Sequence, residues 1–134
     1  MIGRFERNFS LRSFSVTAAE CLHAVKAAGQ DFQCPINVFV DEFRRAPTRQ
    51  KTLLIAAPIE SSGPFEGLIS AVVSALCREV DLAVPDWVAE TGSPEPFFPF
   101  PAKSYEMRVR LLFESPPAFR VRNVFVPENY LSRA

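Results

Sequence analysis

The stretch Gly63-Pro-Phe-Glu-Gly-Leu-Ile-Ser-Ala-Val-Val-Ser-Ala-Leu-Cys-Arg-Glu-Val-Asp-Leu82 decides the fold of this chain. Its large apolar residues recur at intervals of three and four, the spacing of one helical face. These residues are Phe65, Leu68, Ile69, Val72, Val73, Leu76 and Val80. The opposite flank is made of small residues, Gly67, Ser70, Ala71 and Ser74, so neighbours can pack on both sides. We therefore predict a central helix about 25 Å long at ~1.5 Å per residue.

The composition indicates one folded domain without an overall charge. The chain has 134 residues, of which 48% are hydrophobic, and this is enough to bury a core. Its fifteen basic and fifteen acidic residues cancel, so no global field favours nucleic acid or an acidic membrane. No apolar run approaches the ~18 residues of a membrane span, and no secretory signal is evident near the start. We expect no membrane partner.

The number and placement of the cysteines indicate the cellular compartment of the protein. Cys21, Cys34 and Cys77 are odd in number, and two of them fall within helical patterns. Such thiols are typically reduced and mostly buried, which predicts a cytoplasmic protein.

The first third of the chain predicts a lead followed by short helices. Residues 1–15 mix arginines with four large apolar residues, so we expect this lead to pack on the body or on a partner. Residues 16–134 then form a single helical domain. Thr17-Ala-Ala-Glu20 has the spacing of a capping box, and Gly29 ends the helix that it opens.

Two further helices are predicted before the central one. Pro35 starts the first, because Ile36, Phe39, Val40 and Phe43 share a helical face, although the run 36–40 also permits a strand. Pro47 and Pro58 bracket the second, which contains Leu53, Leu54 and Ala57. After the central helix, Pro85-Asp-Trp-Val88 predicts a helical turn that docks the only tryptophan.

Residues 92–101, Gly-Ser-Pro-Glu-Pro-Phe-Phe-Pro-Phe-Pro, are incompatible with regular structure, because four prolines within eight residues remove backbone donors and fix φ. Phe97, Phe98 and Phe100 are expected to pin this extended strap across the domain. The alternative function for the same rings is to bind another protein.

The last third permits two interpretations. Residues 104–113 and 119–126 fit both helical and strand periods, and a hairpin turning at Pro116-Pro117 is the alternative. Consecutive prolines do not make the tight turns of hairpins, and Ser115 before Pro116 is a good cap for a helix. We therefore predict a helix, a turn, a short helix with Phe119 inward, and an extended segment 124–126. The fold class is mainly α, a small helical bundle with an extended strap and a short extended C-terminal segment.

Catalytic patterns are lacking in the sequence. The single histidine gives a Glu20-x-x-His23 pair, whereas di-metal carboxylate bundles need two such motifs. There is no glycine-rich phosphate loop, paired-cysteine zinc spacing or nucleophile elbow. We predict no metal, no cofactor and no enzyme activity, and a small enzyme with Cys or His chemistry remains an alternative.

Two basic segments are candidate binding sites. Arg44, Arg45, Arg49 and Lys51 lie within eight residues, where they are available to contact phosphates or to pair with nearby acids. Arg120 and Arg122 are expected to project outward from the last short helix and to contact a partner, because arginine is enriched at dominant interface positions.

One pattern also carries a family resemblance. Val84-Pro-Asp-Trp-Val88, Phe97-Phe-Pro-Phe100 and Glu114-Ser-Pro-Pro-Ala-Phe-Arg-Val-Arg-Asn-Val-Phe-Val126 occur in this order. The pattern resembles the domain that follows the helix-turn-helix in bacterial antitoxin-like regulators found beside nucleotidyltransferase-like toxins. The match covers about residues 41–131, but Phe97 stands where the family often has tryptophan. In place of the family's DNA-binding module, this sequence has only residues 1–15.

The resemblance implies a non-enzymatic protein-interaction domain, with an antitoxin-like neutraliser of a nearby toxin as the leading hypothesis. Its partner-binding residues are then Arg120, Arg122, Phe97, Phe98 and Phe100. The alternative is a nucleic-acid-associated transcriptional regulator that uses Arg44, Arg45, Arg49 and Lys51.

Overall fold

The computed structural model describes residues 16–100 and 102–132, and in these ranges the chain is mainly helical, as predicted. The predicted lead, residues 1–15, lies outside the described ranges, as do Pro101 and residues 133–134. The described residues form seven α-helices and no strand: α1 Ala18–Ala28, α2 Gln33–Arg45, α3 Thr48–Leu54, α4 Pro64–Glu79, α5 Asp86–Glu90, α6 Tyr105–Glu114 and α7 Pro117–Arg120.

Helix α4 is the centre of the fold. Gly63 is its N-cap and Pro64 its first residue, and α1, α2, α5 and α7 all pack against it. Its large and small flanks are both buried, including Gly67, Ser70 and Ala71. The predicted central helix is therefore confirmed, except that it ends at Glu79 and leaves Val80 exposed.

Local signals explain the first three helices. The Thr17 hydroxyl accepts from the Glu20 N–H at 3.1 Å, and the Glu20 carboxylate accepts from the Thr17 N–H at 3.0 Å, so the capping box is confirmed. Gly29 ends α1 with a left-handed φ of 62°. The prediction that α2 begins at Pro35 is wrong by two residues, because the 3-10 turn Gly29–Asp31 leads directly into Gln33. Residues 36–40 are helical, and Ala57 lies beyond the end of α3.

Trp87 on α5 is docked as predicted. Its side chain is buried and its indole N–H donates to the Ile55 carbonyl at 2.9 Å. This bond joins α5 to the end of α3, while the Ser70 hydroxyl donates to the Val88 carbonyl at 2.8 Å and joins α5 to α4.

The described part of the strap, residues 92–100, is held by backbone pairing at Phe97. Phe97 forms an isolated parallel bridge with Val124: the Phe97 N–H donates to Asn123 at 2.8 Å, and the Phe125 N–H donates to Phe97 at 2.9 Å. The strap starts directly against α4. A Cβ on Gly67 would lie 2.7 Å from the Ser93 nitrogen, so only glycine permits this close approach.

The last third is helix, turn and short helix, so the helical interpretation is confirmed over the hairpin. Phe119 is fully buried, also as predicted. The prediction that Ser115 caps a helix at Pro116 is wrong, because Pro116 is itself the N-cap of α7. Ser115 instead ends α6, where its hydroxyl accepts from the Val126 N–H at 2.8 Å and lies 2.6 Å from the Leu111 carbonyl oxygen.

None of the helices in the described ranges is both long enough and apolar enough to cross a bilayer.

Candidate protein-binding surfaces

Helix α6 presents an apolar stripe to solvent. Ser104 caps its start by accepting from the Met107 N–H at 3.1 Å, and Ser115 ties its end to Val126. Between these caps no residue of α6 is buried, and no other helix in the described part of the chain packs along it. We define the α6 apolar face as Tyr105, Val109, Leu112 and Phe113, whose spacing places them on one side.

The exposure of this face is large for aromatic residues. The side chains of Tyr105 and Phe113 are 82% and 78% exposed, and Leu112 is 41% exposed. The helix is attached by another flank, where the Arg108 Nε donates to the Ala102 carbonyl at 3.0 Å and its guanidinium lies 5.9 Å from the Phe98 ring centre. The α6 apolar face is therefore presented on a helix that is fixed to the body.

A second surface is an open groove between α4 and α7. Its cavity has a volume of about 570 Å³, within the range of ligand sites. We name it the arginine groove, because Arg44, Arg78 and Arg122 are among its lining residues. The remaining lining residues are Ser74, Ala75, Glu79, Pro116, Pro117, Ala118, Phe119, Val121, Glu128, Leu131 and Ser132.

Arg122 points inward, so the prediction that it projects outward is wrong. Its Nη1 donates to the Ala118 carbonyl at 2.7 Å, its Nη2 donates to the Val88 carbonyl at 3.0 Å, and its Nε lies 3.1 Å from the Ser70 oxygen. The cause is that α7 ends at Arg120, so the helical rotation does not continue to residue 122. Burial lowers the pKa of the Arg122 guanidinium.

The other predicted partner-binding residues are placed differently from one another. Arg120 is exposed and makes no ion pair or hydrogen bond through its side chain to any described residue. The strap rings instead pack within the fold: Phe97 against Phe65 at 5.3 Å, Phe98 against Phe125 at 5.2 Å, and Phe100 against Tyr130 at 5.7 Å between ring centres. The expected pinning of the strap is confirmed, and partner binding by these three rings stays a prediction.

The predicted phosphate-contacting cluster is divided among internal contacts. Arg44 pairs with Glu79 through both terminal oxygens, at 3.1 and 2.6 Å, and Arg45 pairs with Glu42 at 2.9 Å. Lys51 is buried, and its ammonium donates to the Ala46 carbonyl at the end of α2. Arg49 alone is exposed without a contact among the described residues, so the four cations do not form one basic patch.

The residues considered for chemistry are not assembled into a site. The Glu20 carboxylate is used in the capping box, and His23 is exposed on α1. Cys21 and Cys77 are buried and Cys34 is exposed, and burial raises the pKa of the Cys21 thiol to about 12. In residues 16–100 and 102–132, no group of three His, Cys, Asp or Glu side chains is placed to hold a metal ion.

Sequence reasoning missed the surface role of α6 and the two groove residues Arg78 and Glu128. The four residues of the α6 apolar face fit a helical period, but the period does not say whether the face meets the core or solvent. The available signal was the remainder of this helix, which has four charged residues, Glu106, Arg108, Arg110 and Glu114, beside the apolar Met107 and Leu111.

Comparison with family models, curated proteins and solved structures finds no match for this chain. The resemblance to antitoxin-like regulators therefore stays a prediction.

Proposed function

We propose that this chain is a non-enzymatic protein-interaction domain that binds a partner protein through the α6 apolar face. The observation that carries the proposal is the exposure of Tyr105 and Phe113 on a helix that no other described helix covers. Fully burying a side chain of this size is worth about 1.5–3 kcal/mol, so covering both rings supplies a substantial driving force. Tyrosine and phenylalanine are also enriched in interface cores.

The attachment of α6 supports recognition as a preformed helix. Ser104 and Ser115 cap its two ends, and Arg108 ties its flank to the Ala102 carbonyl and the Phe98 ring. A helix that is already ordered loses little conformational entropy on binding. Apolar anchors at i, i+4, i+7 and i+8 are the pattern of a helix that docks into an apolar groove of its partner.

The size of the face indicates that the partner contacts more than α6. Ten residues span about 15 Å, and a stable interface buries about 800 Å² on each protein. The two aromatic side chains supply only part of this area, since an aromatic residue buries about 150–250 Å², and Val109 and Leu112 are already partly covered. The partner therefore extends onto neighbouring surface, and exposed Arg120 is a candidate contact there.

We propose further that the partner is a toxin-like protein encoded nearby, and that binding neutralises it. The support is the resemblance of the segments 84–88, 97–100 and 114–126 to antitoxin-like regulators. We assign no reaction to the chain, since within residues 16–100 and 102–132 no group of three His, Cys, Asp or Glu side chains is placed to hold a metal ion.

The experiment is to co-express the chain with the products of adjacent genes and to measure the affinity of any complex by calorimetry. We expect Phe113→Asp to weaken binding at least about 30-fold, the effect of losing an interface hot spot of ~2 kcal/mol. The matched control is Leu53→Asp on α3, because Leu53 is 58% exposed and lies on a different helix. It is expected to leave the affinity unchanged.

Two results would contradict the proposal. One is a tight complex whose affinity is the same for Phe113→Asp and the unmodified chain. The other is the absence of a protein complex together with DNA binding that weakens steeply with salt, which would favour the regulator hypothesis.

A further inference from the structure

The charges that line the arginine groove are not balanced. Arg44 and Glu79 bind each other through two hydrogen bonds and so neutralise one another. Arg78 is exposed, and no described residue accepts a hydrogen bond from its side chain or pairs with it. Two positive charges, on Arg78 and Arg122, therefore face one further carboxylate, on Glu128, which makes no ion pair with either of them.

Arg122 is the least compensated of these charges. All of its described acceptors are neutral: the carbonyls of Val88 and Ala118 and the hydroxyl of Ser70. Burying a cation is costly unless an anion accompanies it. Each terminal nitrogen of a guanidinium carries two hydrogens, and the described bonds use one on each. One N–H on each terminal nitrogen thus has no described acceptor on a residue that lines the groove, and a carboxylate is a strong acceptor for a guanidinium.

We propose that the arginine groove binds a carboxylate side chain on an apolar segment of the partner protein, with Arg122 and Arg78 as its ligands. This inference rests on the proposed function, since it names the chemistry of the same partner. The apolar lining residues Ala75, Pro116, Phe119, Val121 and Leu131 accommodate an apolar side chain next to the acid.

The lining favours a carboxylate over a phosphate group. Glu128 stands in the groove and repels a doubly charged anion more strongly than a single carboxylate. Arg44 is already held by Glu79, so it is not free to join the other two arginines around a phosphate. A phosphate site also does not require the apolar part of the lining.

The groove lies next to the C-terminal end of α6. Glu114 is the last residue of α6 and follows Phe113 directly, and its carboxylate accepts from the Glu128 N–H at 3.4 Å. Glu128 lines the groove, as do Pro116 and Pro117, which follow α6 in the chain. A partner that contacts both Phe113 and the groove passes around the C-terminal end of α6, and the second contact adds to the area that α6 alone supplies.

The test uses the ¹⁵N-labelled full chain and two capped peptides in low salt. One contains leucine followed by glutamate, and the other has glutamine in place of the glutamate. We expect saturable NMR shifts at the Arg122 and Arg78 side-chain N–H groups and at Val121. Binding of the glutamate peptide is expected to be about tenfold tighter, as charge-assisted hydrogen bonds imply. Equal affinities, or no saturable shift, would overturn the proposal.

The variant Arg78→Gln and inorganic phosphate as a second anion make this test more specific. Arg78→Gln is expected to bring the affinity for the glutamate peptide close to that for the glutamine peptide. Arg49→Gln, the matched control on another exposed arginine, is expected to change nothing. Inorganic phosphate that saturates the same signals without a response to the glutamate peptide would assign the groove to phosphate and overturn the proposal.

The two proposals fail separately. Phe113→Asp is expected to weaken partner binding at least about 30-fold while it leaves the peptide affinity unchanged. A peptide that does not bind, with a partner that still depends on Phe113, would refute only the groove. A partner that is lost in Arg78→Gln and retained in Phe113→Asp would instead refute the role of the α6 apolar face.

Discussion

Helices α4 and α6 both carry apolar residues at intervals of three and four, yet α4 is buried on two flanks and α6 buries no residue. The two helices differ in the flank that lies opposite the apolar stripe. In α4 that flank contains Gly67, Ser70 and Ala71, and the strap, α5 and α7 lie against the helix. In α6 that flank carries the charged residues Arg110 and Glu114 beside Met107 and Leu111, and α6 has no small residues that would allow close packing on this side. The comparison teaches that an apolar period identifies a helix, whereas the composition of the opposite flank indicates how many neighbours it has.

The largest expected effect is that of a charge in the α4 stripe. Val72→Asp buries a carboxylate in the apolar core, which costs several kcal/mol against a total stability of about 5–15 kcal/mol, so we expect the domain to unfold. Val109→Asp, its counterpart on α6, is expected to leave a cooperative thermal transition. A transition for Val72→Asp within a few degrees of the unmodified chain would show that the comparison is wrong.

Phe119 tests whether α7 stabilises the fold by packing on α4. It is fully buried, and its ring meets Tyr130 edge to face at 5.5 Å. Phe119→Ala leaves a cavity, and the expected loss is about 3–5 kcal/mol in the free energy of unfolding measured with urea. The neighbouring variant Arg120→Glu is expected to change this energy by less than about 1 kcal/mol, since its side chain is exposed. Similar losses for both variants would exclude packing as the cause.

Gly67 tests the small flank of α4 more finely. In an exposed helix, replacing glycine with alanine stabilises by about 1 kcal/mol. At Gly67 the added methyl group would lie 2.7 Å from the Ser93 nitrogen and 3.1 Å from the Gly92 carbonyl carbon. We therefore expect Gly67→Ala to destabilise by about 1–3 kcal/mol, the cost of overpacking. A raised melting temperature would show that the strap does not press on α4.

Lowering the pH tests the buried carboxylate at the start of α4. This residue has no counterpart in α6, because α6 buries no residue. Burial alone would raise the pKa of Glu66, but hydrogen bonds from Lys26 at 2.6 Å and Ser61 at 2.8 Å hold it below its ordinary value of 4.5. The resulting stability is complete above pH 4.5 and is lost as the pH falls through the lower folded value. We expect the free energy of unfolding to fall over this range, by an amount that is limited because Lys26 is half exposed.

The check for this prediction is chemical unfolding as a function of pH. Glu66→Gln removes the titrating group, so this contribution to the pH dependence should be absent in the variant. An identical pH dependence in both proteins would remove Glu66 as its source.

The parts of the fold that sequence predicts are those fixed by local chemistry. The capping box at Thr17, the end of α1 at Gly29, and Pro64 at the start of α4 each depend on residues within one turn. The inward course of Arg122 depends on where α7 ends, on the left-handed Asn123 with φ of 64°, and on acceptors from α4 and α5. These contacts join residues 34 and 52 positions apart in the chain, so no local pattern reports them.

The candidate surfaces were less predictable than the fold, because they too depend on contacts between residues that lie far apart in the chain. The helical spacing of the apolar residues of α6 is evident in the sequence. Their exposure is not, because it results from the absence of a covering helix elsewhere in the described chain. The strap rings were expected to pack within the domain, and they do, because Pro-rich backbone is held extended beside residues 123–125. Arg78 and Arg122 line the same groove only because α7 packs on α4.

The smallest expected effect on stability is that of a charge in the α6 apolar face. Phe113 is 78% exposed, so Phe113→Asp removes little packing, and we expect the free energy of unfolding to change by no more than about 0.5 kcal/mol. Hydrogen exchange is the sharper measurement, because amides of an uncovered helix open locally and exchange faster than those of a buried one. We expect faster exchange along α6 than along α4, and marked slowing along α6 when the partner binds. A large loss of stability in Phe113→Asp would mean that this ring stabilises the fold, and its effect on partner binding would no longer identify an interface.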